Sequence, residues 1–181
     1  AAIKAGLPVN GPLRGGKHSE WEGGFREPVL VRWPGKVPAG TVSDQVICLT
    51  DMLATFAGLL NAPLPKGNAE DSFDVLRAFT EAKPGAPVRD HVILQAADAT
   101  YDIRMGDWKL LVNASGKTQE LYHLAKDIGE KHNLAAENPD KLEVWLLLDD
   151  RTPGADKLAQ RYPRCHRFEQ ETLLALPYPS M

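Results

Sequence analysis

The chain is poor in three features that assign a protein to a class. It has only two cysteines, Cys48 and Cys165, which is too few for a disulfide framework and does not fix a redox compartment. No apolar run approaches the roughly 20 residues that a transmembrane helix needs, so we expect no membrane span. No cluster of Lys or Arg stands out and the net charge is −3, which argues against nucleic-acid binding.

The start of the chain lacks an initiator Met and the charged and apolar regions of a signal peptide. We therefore expect a mature or truncated start. The 181 residues, with 43% hydrophobic and 25% charged side chains, are typical of one globular domain with or without a small appendage.

The first part, residues 1–82, combines a glycine-rich opening with helical signals. A β-branched run between two prolines predicts a strand over residues 29–33. A helix is predicted over residues 51–60, with Thr50 or Asp51 as its N-cap. Apolar residues recur in it at helical spacing and form one face: Met52, Leu53, Phe56, Leu59 and Leu60. A shorter helix is predicted over residues 73–79.

The second part, residues 83–181, begins with a linker and then changes to an alternating pattern. Four short strands are predicted, over residues 91–95, 101–105, 108–112 and 120–124, with turns between them. Strands at this spacing without intervening helices indicate an antiparallel sheet. Asn138 and Pro139 then mark the start of a helix whose predicted buried stripe is Leu142, Trp145 and Leu146.

The segment with most chemical content is LRGGKHSEWEGGFREP, residues 13–28. It places Lys17 in a glycine-rich loop, where an ammonium with three donors is suited to an anion. Glu22 and Arg26 stand four apart and are predicted to pair, holding the end of the loop. The spacing is not that of a P-loop, because His18 occupies the Ser/Thr position. From spacing alone, a solvated surface lysine explains Lys17 better than a binding site does.

Four ordered segments together resemble the type I, formylglycine-dependent sulfatases of the alkaline-phosphatase-like superfamily. They are residues 13–28 with the Trp33-Pro34-Gly35 that follows them, and residues 43–55, 104–110 and 120–134. The resemblance implies an α/β fold: the C-terminal end of an α/β/α sandwich (residues 1–82, incomplete), then a small four-stranded antiparallel sheet with a packed helix (residues 83–181). It also implies a sulfuric ester hydrolase acting on a sulfated small molecule or glycan, and favours a periplasmic or secreted protein.

The resemblance assigns a role to one residue and leaves most of the active site unaccounted for. It implies that Lys17 is a catalytic residue that binds the substrate sulfate. His18, the adjacent residue, is a second substrate-binding candidate. The family's calcium ligands and its Cys/Ser-x-Pro-x-Arg formylglycine motif have no counterpart here, and the histidines show no metal-ligand spacing. We therefore expect calcium and formylglycine in a complete enzyme with a preceding N-terminal part, and neither in an isolated, inactive fragment.

Two other functions remain open at this point. Relatives in the same superfamily hydrolyse phosphate esters or phosphonates, and a lone lysine would bind phosphate equally well. The missing upstream motifs also allow a non-catalytic binding module.

Overall fold

A computed structural model of the chain describes residues 5–7, 9–66, 68–69, 71–98, 100–113 and 119–146, with the backbone alone at residues 119 and 143–146. Its helices are α1 (Glu22–Phe25), α2 (Asp51–Leu59), α3 (Leu76–Thr80), a 3-10 helix (Ala135–Glu137) and α4 (Pro139–Leu146). Its strands are β1 (His91–Gln95), β2 (Tyr101–Met105), β3 (Trp108–Val112) and β4 (Gln119–His123). None of these helices is long and apolar enough to cross a membrane.

The strands form one antiparallel sheet in the order β1-β2-β3-β4. The prediction is confirmed, residue for residue in the first three strands and with a shift of one residue in β4. The turn between β2 and β3 requires a residue in the left-handed region, and Gly106 supplies it with φ 54°. Each strand therefore follows its neighbour along the chain through a short connection.

One face of the sheet holds an apolar core under the C-terminal helix. Its fully buried side chains are Ile103, Leu110, Val112 and Leu121, and Leu142 of α4 packs against them. The helix begins at Pro139, as predicted. Trp145 and Leu146, the rest of its predicted stripe, lie outside the described side chains.

The opposite face of the sheet combines apolar packing with a buried cation. Leu111, Tyr122 and Leu124 form a second cluster, against which Trp21 packs. Lys109 lies on this face, has no solvent exposure and is held by three carboxylates. Its Nζ lies 3.0 Å from Asp102 Oδ2, 3.2 Å from Glu22 Oε1 and 2.8 Å from Glu130 Oε1. We call these four residues the Lys109 cluster.

Burial and charge act against each other inside the Lys109 cluster. Burial would lower the pKa of Lys109, but the three surrounding carboxylates raise it above its ordinary value. Burial raises the pKa of Asp102 to about 7, although Lys109 opposes the shift. Asp102 Oδ1 is buried and accepts no hydrogen bond from the described residues. The cluster thus holds its ammonium firmly and tolerates a proton on Asp102.

Helix α2 forms where predicted, but the side that it buries in this chain is polar. Asp51 and Thr55 are buried, while Leu53, Phe56 and Leu60 are at least half exposed. Arg89 Nη1 donates to both carboxylate oxygens of Asp51 at 2.8 Å. Three of the five residues of the predicted apolar face are therefore exposed in the described chain.

Asp51 and Thr55 also explain the start of helix α3. The Asp51 carboxylate accepts the backbone N–H of Phe73, and the Thr55 hydroxyl accepts that of Val75. These bonds hold residues 73–75 outside helical geometry. Helix α3 consequently begins at Leu76, three residues later than predicted.

The strand predicted over residues 29–33 is wrong for this structure. These residues are irregular, and Leu30 is 96% exposed. A strand needs a neighbour for its backbone N–H and C=O groups. The four described strands pair only with one another, and none of them pairs with residues 29–33. This removes the expected sandwich strand from the described part and leaves the expected antiparallel sheet with its helix.

We predict that Arg89→Met destabilises the protein by about 3–5 kcal/mol, because it strands the buried carboxylate of Asp51. Arg77→Met is the matched control, since Arg77 pairs with Glu81 in solvent. Urea denaturation of the intact protein that carries this chain measures both. If both variants lower the urea midpoint by the same amount, the buried ion pair contributes no more to stability than the exposed one.

The pKa of Asp102 predicts a pH-dependent effect of Asp102→Asn. A folded-state pKa of about 7, above the ordinary value near 4, means that the folded protein binds the extra proton between these pH values. Wild type therefore loses stability as pH rises through this window, and the variant does not. When the pH rises from 5 to 8, the free energy of unfolding of Asp102→Asn should therefore increase by about 2–3 kcal/mol relative to that of wild type.

The matched control for this measurement is Asp107→Asn, in the exposed turn between β2 and β3. Urea titrations at both pH values should show no comparable gain for it. If the free energies of unfolding of Asp102→Asn and wild type differ by the same amount at pH 5 and pH 8, the shifted pKa of Asp102 is contradicted.

Candidate functional site

The lysine loop, residues 14–22, is a compact turn that ends in helix α1. The N–H of Ser19 donates to the carbonyl of Gly16 at 2.9 Å, and the N–H of Gly16 donates to Ser19 Oγ at 3.1 Å. Gly15 has φ 74° and His18 has φ 77°, so the chain enters the left-handed region twice in four residues. The loop therefore has a defined backbone, although Lys17 and His18 themselves are exposed.

A glycine in α1 allows the two ends of the loop to close on each other. A Cβ at Gly23 would lie 2.6 Å from the carbonyl oxygen of Arg14 and 2.7 Å from that of Gly15. The N–H of Gly23 donates to the carbonyl of Arg14 at 2.8 Å. A side chain at this position would push the ends of the loop apart.

Arg14 anchors the start of the loop to the C-terminal part of the chain. Its guanidinium stacks 3.3 Å above the centre of the Trp21 ring and donates to the carbonyl of Glu130 at 2.7 Å. Trp21 in turn packs edge-on against Tyr122 of β4, with 5.8 Å between ring centres. The loop thus begins on a cation–aromatic stack supported by the sheet.

The end of the loop is anchored by Glu22 and the Lys109 cluster. The N–H of Glu22 donates to Glu130 Oε2 at 2.8 Å, and Lys109 Nζ donates to the carbonyl of Glu20 at 2.9 Å. The predicted pair with Arg26 forms as well, with Nε 2.5 Å from Glu22 Oε2. Burial alone would raise the pKa of Glu22, but Lys109, Arg26 and Arg104 hold it below its ordinary value. Glu22 is therefore a buried carboxylate whose charge is balanced by neighbouring cations.

An open cavity of about 680 Å³ lies beside the loop and is lined by Lys17. Arg26 and Glu27 also line it, together with the backbone of Gly23 and Gly24. Two cations and one carboxylate at an open wall suit an anion that carries a polar group. His18, the other predicted binding residue, does not line this cavity.

The described residues do not fit a metal centre or a formylglycine. No group of three or more His, Cys, Asp or Glu side chains within them could hold a metal ion. Cys48 is a free, half-buried thiol in the string Cys-Leu-Thr-Asp, outside a Cys-x-Pro-x-Arg motif. The described part of the site is an open wall that carries Lys17, Arg26 and Glu27.

The residues that fix this wall were only partly visible in the sequence. The spacing of Glu22 and Arg26 predicted their pair. Lys109 lies between Trp108 and the apolar residues 110–112, inside an otherwise apolar strand. This position indicated that Lys109 is buried. The sequence did not indicate that Asp102 and Glu130 are its partners.

Comparisons with known proteins agree on one family. Residues 16–152 match the family model described as N-sulphoglucosamine sulphohydrolase, C-terminal. An N-acetylgalactosamine-6-O-sulfatase of Bacteroides thetaiotaomicron is 32% identical over 77% of this chain and 30% of its own length. The N-acetylgalactosamine-6-sulfatase of Sus scrofa is 29% identical over 75% of this chain and 31% of its own length.

A solved structure supports the same conclusion. A sulfatase structure from work on glycosaminoglycan metabolism by Bacteroides thetaiotaomicron is 30% identical and has a TM-score of 0.67, over 76% of this chain and 31% of that chain. The chain therefore spans about a third of the proteins that it matches. Together with the lysine loop and the antiparallel sheet, these matches show that the chain belongs to the sulfatase family, as its C-terminal domain.

Proposed function

We propose that this chain is the C-terminal part of a sulfatase that hydrolyses sulfate esters, and that Lys17 binds the sulfate group. The observation that carries the proposal is the position of Lys17 on the wall of an open cavity, in a loop anchored at both ends. An exposed lysine on an unanchored loop would not hold its charge in one place. The anchored backbone favours a binding role over the solvated lysine that spacing alone favours.

Lys17 contributes electrostatics to the reaction. Its ammonium would contact the sulfate oxygens, which already carry negative charge in the bound ester. As the S–O bond breaks, charge moves onto the leaving oxygen, and a cation held in a dry site stabilises this redistribution. Arg26 on the same wall is committed to Glu22, so we expect Lys17 to carry this role.

The remaining chemistry would come from a preceding part of the protein. In a complete enzyme, bound calcium would supply the Lewis acid of the family and a formylglycine side chain its nucleophile, and neither fits the described residues. The substrate class that we propose is a sulfated glycan, because relatives at about 30% identity are named for 6-sulfated N-acetylgalactosamine. The polar wall beside Lys17 is compatible with a sugar.

We further propose that the preceding part covers the apolar surface of residues 29–60. Leu30, Leu53, Phe56 and Leu60 are all more than half exposed. A patch of this kind marks an interface in a soluble domain. The matched relatives are about three times longer than the stretch that this chain covers, which provides a partner of sufficient size.

We predict that Lys17→Ala in the intact protein lowers kcat/KM for 4-nitrocatechol sulfate and for 6-sulfated N-acetylgalactosamine by about 10²–10³-fold. The loss follows from removing the cation that stabilises charge on the sulfate. Lys36→Ala changes an exposed lysine in a turn that does not line the cavity; it is the matched control and should retain full turnover. Activity of Lys17→Ala within threefold of wild type would exclude the proposed role. Turnover of phosphate monoesters in preference to sulfates would overturn the substrate class.

We also predict that the 181-residue chain expressed alone binds the dye ANS strongly, whereas the intact protein does not. The exposed apolar side chains of residues 29–60 provide the dye surface. Replacing Leu53 and Phe56 by Ser in the isolated chain should reduce the fluorescence severalfold. A sharp, cooperative melt of the isolated chain without dye binding would contradict the proposed interface.

A further inference from the structure

The described residues give the side chain of Lys17 no polar partner. Among the described residues no hydrogen bond or ion pair holds its ammonium, and the side chain is exposed. Its position therefore depends on the backbone of the loop. The loop in turn has no regular structure of its own before helix α1 begins at Glu22.

Lys109 is bonded directly to the end of this loop. Its ammonium contacts the carbonyl of Glu20 at 2.9 Å, three residues after Lys17, and the carboxylate of Glu22 at 3.2 Å. Glu130, a partner of Lys109, accepts the N–H of Glu22. One buried cation and its partner thus fix three polar groups within residues 20–22.

The energetics of burial argue that this arrangement has a use beyond stability. Transferring an ammonium and three carboxylates from water is costly, and a well-packed apolar set of similar volume is often as stable or more stable. The cluster here lies on the face of the sheet that contacts the loop, whereas the opposite face is closed by apolar side chains. The cluster of ion pairs lies where the sheet meets the end of the lysine loop, at residues 20–22.

We propose that Lys109 is a positioning residue for Lys17: it fixes the backbone at residues 20–22 and thereby sets where the Lys17 ammonium stands on the cavity wall. This inference rests on the proposed function of Lys17. It assigns the antiparallel sheet a role in catalysis, as the rigid support of a binding loop.

A double-mutant cycle in the intact protein tests the proposal. Lys109→Met should lower kcat/KM for 4-nitrocatechol sulfate by 10–100-fold in the wild-type background, with most of the loss in kcat. In the Lys17→Ala background the same change should cost less than threefold, because the group that it positions is already gone. A purely structural role would reduce activity by the same factor in both backgrounds, and this outcome would overturn the proposal.

The matched control is Lys141→Met, which removes a lysine stacked on Trp108 at the opposite face of the sheet. It should change kcat/KM by less than twofold in either background. If Lys109→Met does not fold, Glu130→Gln replaces it in the cycle, because this variant keeps the shape of the side chain and removes one of the charges that bind Lys109. The same non-additivity is expected for it, and additivity again overturns the proposal.

Hydrogen–deuterium exchange separates this proposal from that on Lys17. In Lys109→Met or Glu130→Gln the amides of residues 16–22 should exchange at least tenfold faster, a larger change than for the amides of β2 and β3. If Lys17→Ala retains full activity but the loop exchanges faster in Lys109→Met, the proposed role of Lys17 is wrong and the positioning of the loop by Lys109 is supported. If exchange in the loop is unchanged, Lys109 does not position it.

Discussion

The buried ammonium of Lys109 is the contact on which the rest of the described structure depends. It joins β2, β3, the segment after β4 and the end of the lysine loop through Asp102, Glu22 and Glu130. A cation without solvent has to collect enough acceptors to replace its hydration, and these come from distant parts of the chain. The need to neutralise one charge therefore determines how the glycine-rich opening is placed against the sheet.

The loop that this cluster holds is shaped by conformations that few residues adopt. Left-handed backbone at Gly15 and His18 turns the chain tightly, and Gly23 lets the two ends approach within hydrogen-bond distance. His18 carries this conformation without being a glycine, at the position next to the proposed sulfate ligand. Glycines allow the tight backbone of the loop, and buried ion pairs fix its position against the sheet. Lys17 can therefore project from the loop without hydrogen bonds to its own side chain from the described residues.

Helix α2 buries polar side chains and exposes apolar ones, as expected for a helix that packs against a further part of the protein. Asp51 buries its carboxylate against Arg89, across the predicted boundary at residue 82, while Phe56 and Leu60 remain in solvent. An amphipathic helix that turns its apolar face outward needs another partner. The same holds for residues 29–33, whose sequence is suited to a strand and which pair with none of the four described strands. Both observations agree with a chain that spans about a third of its relatives.

The sequence by itself determined the features that depend on near neighbours. Alternation located the four strands, Asn138 and Pro139 marked the start of α4, the four-residue spacing predicted the Glu22–Arg26 pair, and ordered motifs indicated the family. The tertiary structure alone decided which charges are buried and which apolar face is covered. Lys109 meets Glu22 across 87 residues and Arg89 meets Asp51 across 38, and no local period encodes such partners. Strand formation at residues 29–33 was likewise undecided, because a ladder needs a second strand and the sequence of one strand does not say whether it is present.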